Sequence, residues 1–311
     1  MTGIDEARSD AAPALVAVVV NPTKFDDLAE VRQELSRLGV DHDVEVRLLE
    51  TTEDDPGFGQ TREAVAAGAD VVCALGGDGT VRAVAEVLVG TGVPLGLLPG
   101  GTGNLLARNL EVPISGLTEA MAVVVEGRNR TIDVGWLEVE GARHAFTVMA
   151  GLGLDATIMD DAPEAVKNRV GWAAYAVAAA KHLREDGFAV SATVDGEAVE
   201  VPDVRTLVVG SCGTLTGGIE LLPDAVIDDG ELDLAILTPT SLTEWLGVAG
   251  RVLTGRDDGP TIERRRCREV SLHADPAQQV EVDGDVLTEA GEVRVSVQPG
   301  ALVVRVPQVP Q

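Results

Sequence analysis

Two short stretches of the chain, Gly76-Gly77-Asp78-Gly79-Thr80 and Pro99-Gly100-Gly101-Thr102-Gly103-Asn104, combine glycines with a threonine and with a carboxylate or an amide. Each follows an apolar run, Asp70 to Leu75 and Pro94 to Leu98, and each precedes a helix-forming segment. At the carboxyl end of a parallel strand, glycine lets backbone N–H groups approach an anion while the dipole of the next helix points at it. Both stretches therefore read as phosphate cradles. Asp78 by itself would repel phosphate, so its presence points to a nucleotide with a divalent cation between the two. The alternative is an Asp-Gly turn that only joins strand to helix. Gly101-Thr102-Gly103 with Ala107 imitates a dinucleotide fingerprint, but no acidic residue ends a following strand to hold a ribose. No GxxxxGK[ST] occurs, so neither stretch is a P-loop. Two adjacent Gly-Thr loops line one crevice where open α/β sheets bind ligands.

The elements that must hold these loops alternate. Leu15 to Val20, Val44 to Leu49, Asp70 to Leu75 and Pro94 to Leu98 read as strands. Asp26 to Leu38, Gln60 to Ala67, Val81 to Val89 and Leu105 onward read as helices. This alternation predicts an α/β domain with a doubly wound parallel sheet over residues 1–134. From Val134 the pattern changes to short strands: Trp136 to Val139, His144 to Met149, Ala189 to Val194, Thr206 to Val209, Leu232 to Leu237, Glu269 to His273, Gln279 to Val282, Val293 to Val297 and Leu302 to Val306. Helices over Val170 to Leu183 and Ser241 to Leu253 interrupt them. Residues 135–311 are thus expected to form a β-rich sandwich domain, with the last strand free to pack back toward the first.

Composition narrows the function classes. The 311 residues carry a formal net charge of -27, which repels nucleic acid and anionic lipid over most of the surface. One local exception is Arg264-Arg265-Arg266-Cys267-Arg268, read either as a basic strand edge facing solvent or as a membrane-facing patch. Cys73, Cys212 and Cys267 are too dispersed for a disulfide framework or a zinc site. The four histidines, His42, His144, His182 and His273, never reach helical ligand spacing. The acidic start of the chain is unlike a signal peptide, and no apolar run approaches the ~20 residues that span a bilayer. A soluble, cytoplasmic protein is expected.

The ordered motifs resemble the diacylglycerol kinase catalytic-domain family of bacterial lipid kinases and sphingosine kinases. They are Asn21-Pro22, GGDGT, PGGTGN followed by Ala107-Arg108, Ile132-Asp133-Val134-Gly135, Gly151 to Ala156, Gly171 to Tyr175, Pro223-Asp224-Ala225, Asp229 to Asp233 and Val282-Asp283-Gly284-Asp285. GGDGT alone is shared with NAD kinases; the ordered set is more specific. The resemblance implies an NAD kinase/diacylglycerol kinase-like first domain, a lipid-substrate β domain and an ATP cleft between them. It assigns Asn21, Gly76, Gly77, Asp78, Gly79, Thr80, Gly101, Thr102 and Asn104 to ATP, with Thr51 as a further match. Asp78 and Asp133 match residues that organise the catalytic Mg²⁺. A second, structural Mg²⁺ is implied at the Asp229 side chain and the carbonyls of Val226 and Glu231, an oxygen set suited to a hard cation.

Phosphoryl transfer also needs an acceptor for the hydroxyl proton. The family places an Asp-Gly-Glu there, and this chain has Asp283-Gly284-Asp285, which makes Asp285 the implied base, with Asp283 and Asp78 as the other catalytic candidates. A hairpin turn is the plainer reading of the same residues. Leu105 stands where many bacterial members carry aspartate. The family's Asn-Pro-x-Ser-Gly becomes Asn21-Pro22-Thr23-Lys24-Phe25, which places an ammonium near the loops, as a phosphate contact or as an ordinary solvated lysine. Trp172 and Tyr175, one helical turn apart, could wall a lipid-tail slot or pack in a core.

Three readings follow. The first is an ATP-dependent lipid kinase acting on a hydroxyl of a lipid such as diacylglycerol or a sphingoid base, reached by transient peripheral contact with the membrane. The second is an NAD kinase-like enzyme with a soluble substrate, and the third is a non-catalytic nucleotide- or lipid-binding regulator. The resemblance also suggests a homodimer.

Overall fold

The computed structural model describes residues 12–153, 187–215, 219–241, 243–245, 247–248, 250, 259 and 261–308. The expected helix with Trp172 and Tyr175, and residues 154–156 of one motif, lie outside the described residues. Described residues between 243 and 250 are helical. The chain divides into two compact units, Met1–Val134 with Gln298–Gln311, and Gly135–Val297.

In the first unit β1 (Leu15–Val20), α1 (Leu28–Asp41), β2 (Glu45–Glu50), α2 (Phe58–Ala66), β3 (Val71–Gly76), α3 (Asp78–Leu88), β4 (Leu95–Pro99), α4 (Leu105–Asn109) and α5 (Leu117–Glu126) follow one another. The strands are parallel in the order β2-β1-β3-β4. Val16, Val18, Val20, Cys73 and Leu75 share a core with Leu35 and Leu38 of α1 and Met121 and Val124 of α5. Val19 points to the opposite face, where it and Val84 of α3 close on Gly57. Helices therefore cover both faces of the sheet, as a doubly wound fold requires. Side chains fix the helix starts: Asp27 Oδ1 accepts the N–H groups of Ala29 and Glu30 at 2.8 and 3.2 Å, so α1 begins at Leu28 and not at Asp26.

The second unit is antiparallel. Its elements are β5 (Arg128–Val139), which enters from the first unit, β6 (Ala142–Phe146), β7 (Met149–Leu152), β8 (Phe188–Val194), β9 (Glu197–Val204), β10 (Thr206–Gly210), the short β11 (Thr214–Leu215) and β12 (Ile219–Glu220), β13 (Leu232–Leu237), β14 (Ile262–Cys267), β15 (Glu269–Val282) and β16 (Asp285–Val306). They pair in the order β14-β13-β10-β7-β15-β16. The first half of β15 pairs with β8 and its last residues pair with β7, so one strand serves two neighbours. Phe146, Leu152, Leu207, Leu234, Leu272 and Val280 share its buried core.

Some element bounds differ from expectation. Residues 298–311, whose last strand the sequence pattern leaves free to pack back toward the first domain, belong to the first unit: β16 runs on past Val297 and lies parallel to β4 at Val304 and Leu95. There Arg305, 2 % exposed, donates to the carbonyls of Val124 and Val125 at the end of α5 and to Asn129 Oδ1. A buried cation at a helix C-terminus is held both by those carbonyls and by the helix dipole. Four expected short strands are two long ones, because the irregularity between His273 and Gln278 shifts the register of β15 without ending it. The strand expected from His144 to Met149 is broken at Thr147-Val148, and β5 begins at Arg128, well before Trp136. Finally, α3 begins at Asp78, not Val81: Gly77 is the cap, and its carbonyl accepts from Thr80 and Val81.

Candidate active site

Because α3 begins so early, Asp78, Gly79 and Thr80 form its first turn, the end of a helix that favours an anion. The glycines around them are set by space. A Cβ on Gly100 would lie 2.7 Å from the Gly76 nitrogen, and one on Gly101 would lie 2.7 Å from the Gly77 Cα. The two loops thus touch backbone to backbone, and side chains would force them apart. Gly76 answers a different constraint, since its Cβ would meet Thr80 Oγ1 at 2.5 Å.

Asp78 ties the loops together. Its Oδ1 accepts the Leu105 N–H at 2.7 Å and its Oδ2 the Asn104 N–H at 3.1 Å. Asn104 holds a left-handed conformation at φ 48° and donates through Nδ2 to the Gly101 carbonyl at 2.7 Å. Arg108 Nε closes the loop on the Gly103 carbonyl at 2.7 Å. Leu105 is buried, so it contributes its N–H and its core packing. Asp78 remains half-buried.

The Asn21–Phe25 segment lies against the same loops. Lys24 Cε is 3.8 Å from the Cβ position of Gly77, and Phe25 Cζ is 3.1 Å from that of Gly100. Asn21 caps the short 3-10 turn from Pro22 to Lys24 with its Oδ1, which accepts from Thr23 N and Oγ1. Thr102 is exposed, whereas Thr51 and Thr80 are buried at the strand end and in the first turn. Of the first-unit candidates, Asn21, Gly76, Gly77, Asp78, Gly79, Thr80, Gly101, Thr102 and Asn104 belong to the two loops and the segment against them. The structure places Thr51 after β2, where its N–H bonds the Val20 carbonyl at the end of β1. Asp133 is buried in β5, and its Oδ1 accepts the Gly300 N–H at 2.7 Å, anchoring the returning strand.

In the second unit, Asp283 and Gly284 are the centre of a two-residue hairpin between β15 and β16, both with positive φ, 47° and 87°. That turn matches the twist of the strands. Asp283 is 4 % exposed and accepts four hydrogen bonds, from the N–H groups of Thr147, Val148 and Met149 and from the Thr147 hydroxyl, at 2.9 to 3.1 Å. Burial pushes its carboxyl up, against the pull of those donors. Such a group fastens the β6–β7 break to the hairpin and has no lone pair to spare for a substrate. Asp285 opens β16, opposite Val282, and is half-buried. Glu281, unremarked in the sequence, sits on the face away from Val280 and Val282, and burial pushes its carboxyl up to about 7, the Asp283 charge adding to the shift. Its only sequence signal was a carboxylate inside an alternating strand, which usually means a solvated face.

At the implied structural metal site the Asp229 carboxylate is engaged by groups of the chain itself. Asp229 Oδ1 accepts the Glu231 N–H at 3.1 Å, and Oδ2 is bonded to Arg266 Nη2, which also lies 3.1 Å from Glu231 Oε2. Val226 is exposed. Among the described residues, no group of three or more His, Cys, Asp or Glu side chains is placed to hold a metal ion.

Comparison with known proteins fits this geometry. Residues 15–137 match the family model described as the diacylglycerol kinase catalytic domain, and residues 147–306 match the YegS C-terminal NAD kinase beta sandwich-like domain. The chain is 31 % identical over 252 residues to a diacylglycerol kinase of Mycobacterium tuberculosis, covering 79 % of each chain. It is 33 % identical over 266 residues to "Probable lipid kinase YegS-like" of Pseudomonas aeruginosa, covering 85 % of each. A solved diacylglycerol kinase structure from Bacillus anthracis str. Sterne superposes with a TM-score of 0.70 over 94 % of this chain and 97 % of the other, at 21 % identity, which shows the fold.

Proposed function

The chain belongs to the diacylglycerol kinase catalytic-domain family of lipid kinases, and from that premise we propose that it transfers the γ-phosphoryl group of ATP to a hydroxyl of a diacylglycerol-like or sphingoid-base-like lipid. The observation that carries this reading is the backbone contact of the two glycine loops, with the first turn of α3, Asn21 and Lys24 beside it. First-turn N–H groups, the Asn21 amide and the Lys24 ammonium would hold phosphate oxygens. Asp285 would take the hydroxyl proton as the lipid oxygen bonds the γ-phosphorus and the bond to the β-phosphate oxygen breaks. Magnesium bound with the nucleotide supplies charge neutralisation at the phosphates. Asp78, half-buried at the start of α3, would face that cation's water shell.

No described helix is long and apolar enough to cross a membrane, so the acceptor would be reached by contact at a membrane surface. The test is transfer of label from γ-labelled ATP in the presence of mixed lipids and, separately, NAD. Label in the lipid fraction supports the proposal. Label in NAD alone moves the soluble-substrate reading to the front, and nucleotide binding with no transfer favours a non-catalytic regulator.

A further inference from the structure

We propose that the guanidinium of Arg266 replaces a divalent cation at the Asp229 turn, so that the β-rich unit is closed by a cation of its own chain. The inference does not rest on the kinase reading. It starts from strand register: in the antiparallel β13–β14 pair, Arg266 lies directly opposite Asp233. Directly opposed residues project to the same side of a sheet. That register carries the Arg266 side chain over the turn that precedes β13, where Asp229 and Glu231 stand. One nitrogen, Nη2, meets both Asp229 Oδ2 and Glu231 Oε2, while Arg268 Nη2 lies 3.6 Å from Glu231 Oε1. The other Asp229 oxygen is occupied by the Glu231 N–H.

A hard divalent cation needs about six to eight oxygen ligands, most of them supplied here by carbonyls and water around one carboxylate. The guanidinium removes the oxygen that would anchor that shell, and it is delivered by backbone pairing, so a metal would have to displace a tethered competitor. Arginine suits the place because it stays charged and its several donors can bridge two carboxylates at once.

The same geometry explains why a chain of net charge -27 carries four arginines within five residues. Arg264 donates to the Leu221 carbonyl, Arg265 pairs with Glu263 and Glu197, Arg266 bridges Asp229 and Glu231, and Arg268 faces Glu231. Each is used inside its own unit, which argues against a patch reserved for anionic lipid.

The experiment is thermal unfolding of the full chain, stripped with EDTA, in Mg²⁺ and in NaCl matched for ionic strength, so that general screening of the acidic surface is subtracted. The wild type is expected to respond equally to both salts. Arg266→Met is expected to lower Tm by roughly 3–6 °C and to gain a Mg²⁺-specific rise of similar size. The double variant Arg266→Met with Asp229→Asn is expected to lose that rise. Arg266→Lys keeps the charge and should stay indifferent to Mg²⁺, which preserves the test if the methionine variant does not fold. A Mg²⁺-specific rise in the wild type that Asp229→Asn abolishes would overturn the proposal, because the metal then wins the site from Arg266. So would an Arg266→Met protein as stable as the wild type with no Mg²⁺ response.

Discussion

Asp78 and Asp283 occupy the same kind of place in two different units, an Asp-Gly pair near the end of a strand, and both carboxylates gather N–H groups from a distant loop. They differ in how far each is enclosed. Asp78 accepts from Asn104 and Leu105 and stays half-buried at the start of a helix. Asp283 accepts from four donors and is almost wholly enclosed. A partly exposed carboxylate at the start of a helix is placed to serve a ligand, and an enclosed one whose oxygens are saturated serves the fold. We read Asp283 as structural fastening, and keep the glycine loops as the proposed place of the nucleotide and Asp285 as the proposed base.

The largest expected effect sharpens the split within the hairpin. Asp285→Asn should lower lipid phosphorylation by about 10² to 10⁴, the usual range for losing a general base, with ATP affinity unchanged. Equal turnover in the two proteins would remove Asp285 from the chemistry. Next comes Asp283→Ala, which leaves buried donors unpaired and should lower stability by about 3–5 kcal/mol in urea denaturation, without changing ATP affinity per folded molecule. A loss under about 1 kcal/mol would mean that the enclosed carboxylate fastens nothing.

Glycine substitutions break the comparison in another way. Gly101→Ala places its Cβ 2.7 Å from Gly77 Cα, so the loops must part. Overpacking of this kind should cost about 1–3 kcal/mol in stability and weaken ATP binding at least tenfold. Gly284→Ala meets nothing within 4 Å, but it holds φ 87°. It should cost about 1–2 kcal/mol through backbone strain alone and leave ATP binding intact. Identical effects of the two alanines on nucleotide affinity would contradict the loop contact.

The smallest effect is a pH dependence. Glu281 is raised from its ordinary 4.5 to about 7 in the folded chain. Between those values the folded state holds more protons than the unfolded one, so stability falls as pH rises through that window. Glu281→Gln should flatten this slope and leave the variant more stable above the window by roughly 1–2 kcal/mol, discounted because the group is half-buried. Thermal melts across the range would show it; a slope unchanged in the variant would assign the titration elsewhere.

Much of the first unit was legible because its signals are local. Leu15–Val20 is an apolar run bounded by turns, and the glycines of both loops announce sharp strand-to-helix turns. The early start of α3 was less so, since glycine-rich sequence reads as loop until the Gly77 carbonyl is seen to accept from Thr80 and Val81. In the second unit the decisive contacts are remote. Asp283 reaches donors 136 residues away, and Arg266 reaches Asp229 across 37. Nothing in an Asp-Gly pair or an arginine run announces its partner. Likewise, the return of β16 to the first unit depends on pairing between Val304 and Leu95, which no periodicity within either strand can specify.

One measurement bears most directly on the assignment of nucleotide to the glycine loops: isothermal titration of Mg²⁺-ATP into the folded wild type, Asp78→Asn and Asp283→Asn. Asp78→Asn is expected to bind more weakly by about tenfold or more, since it loosens the tie between the loops and removes the charge proposed to face the nucleotide's cation, and Asp283→Asn is expected to bind like the wild type. Unchanged affinity in Asp78→Asn, or affinity lost only in Asp283→Asn, would contradict that assignment.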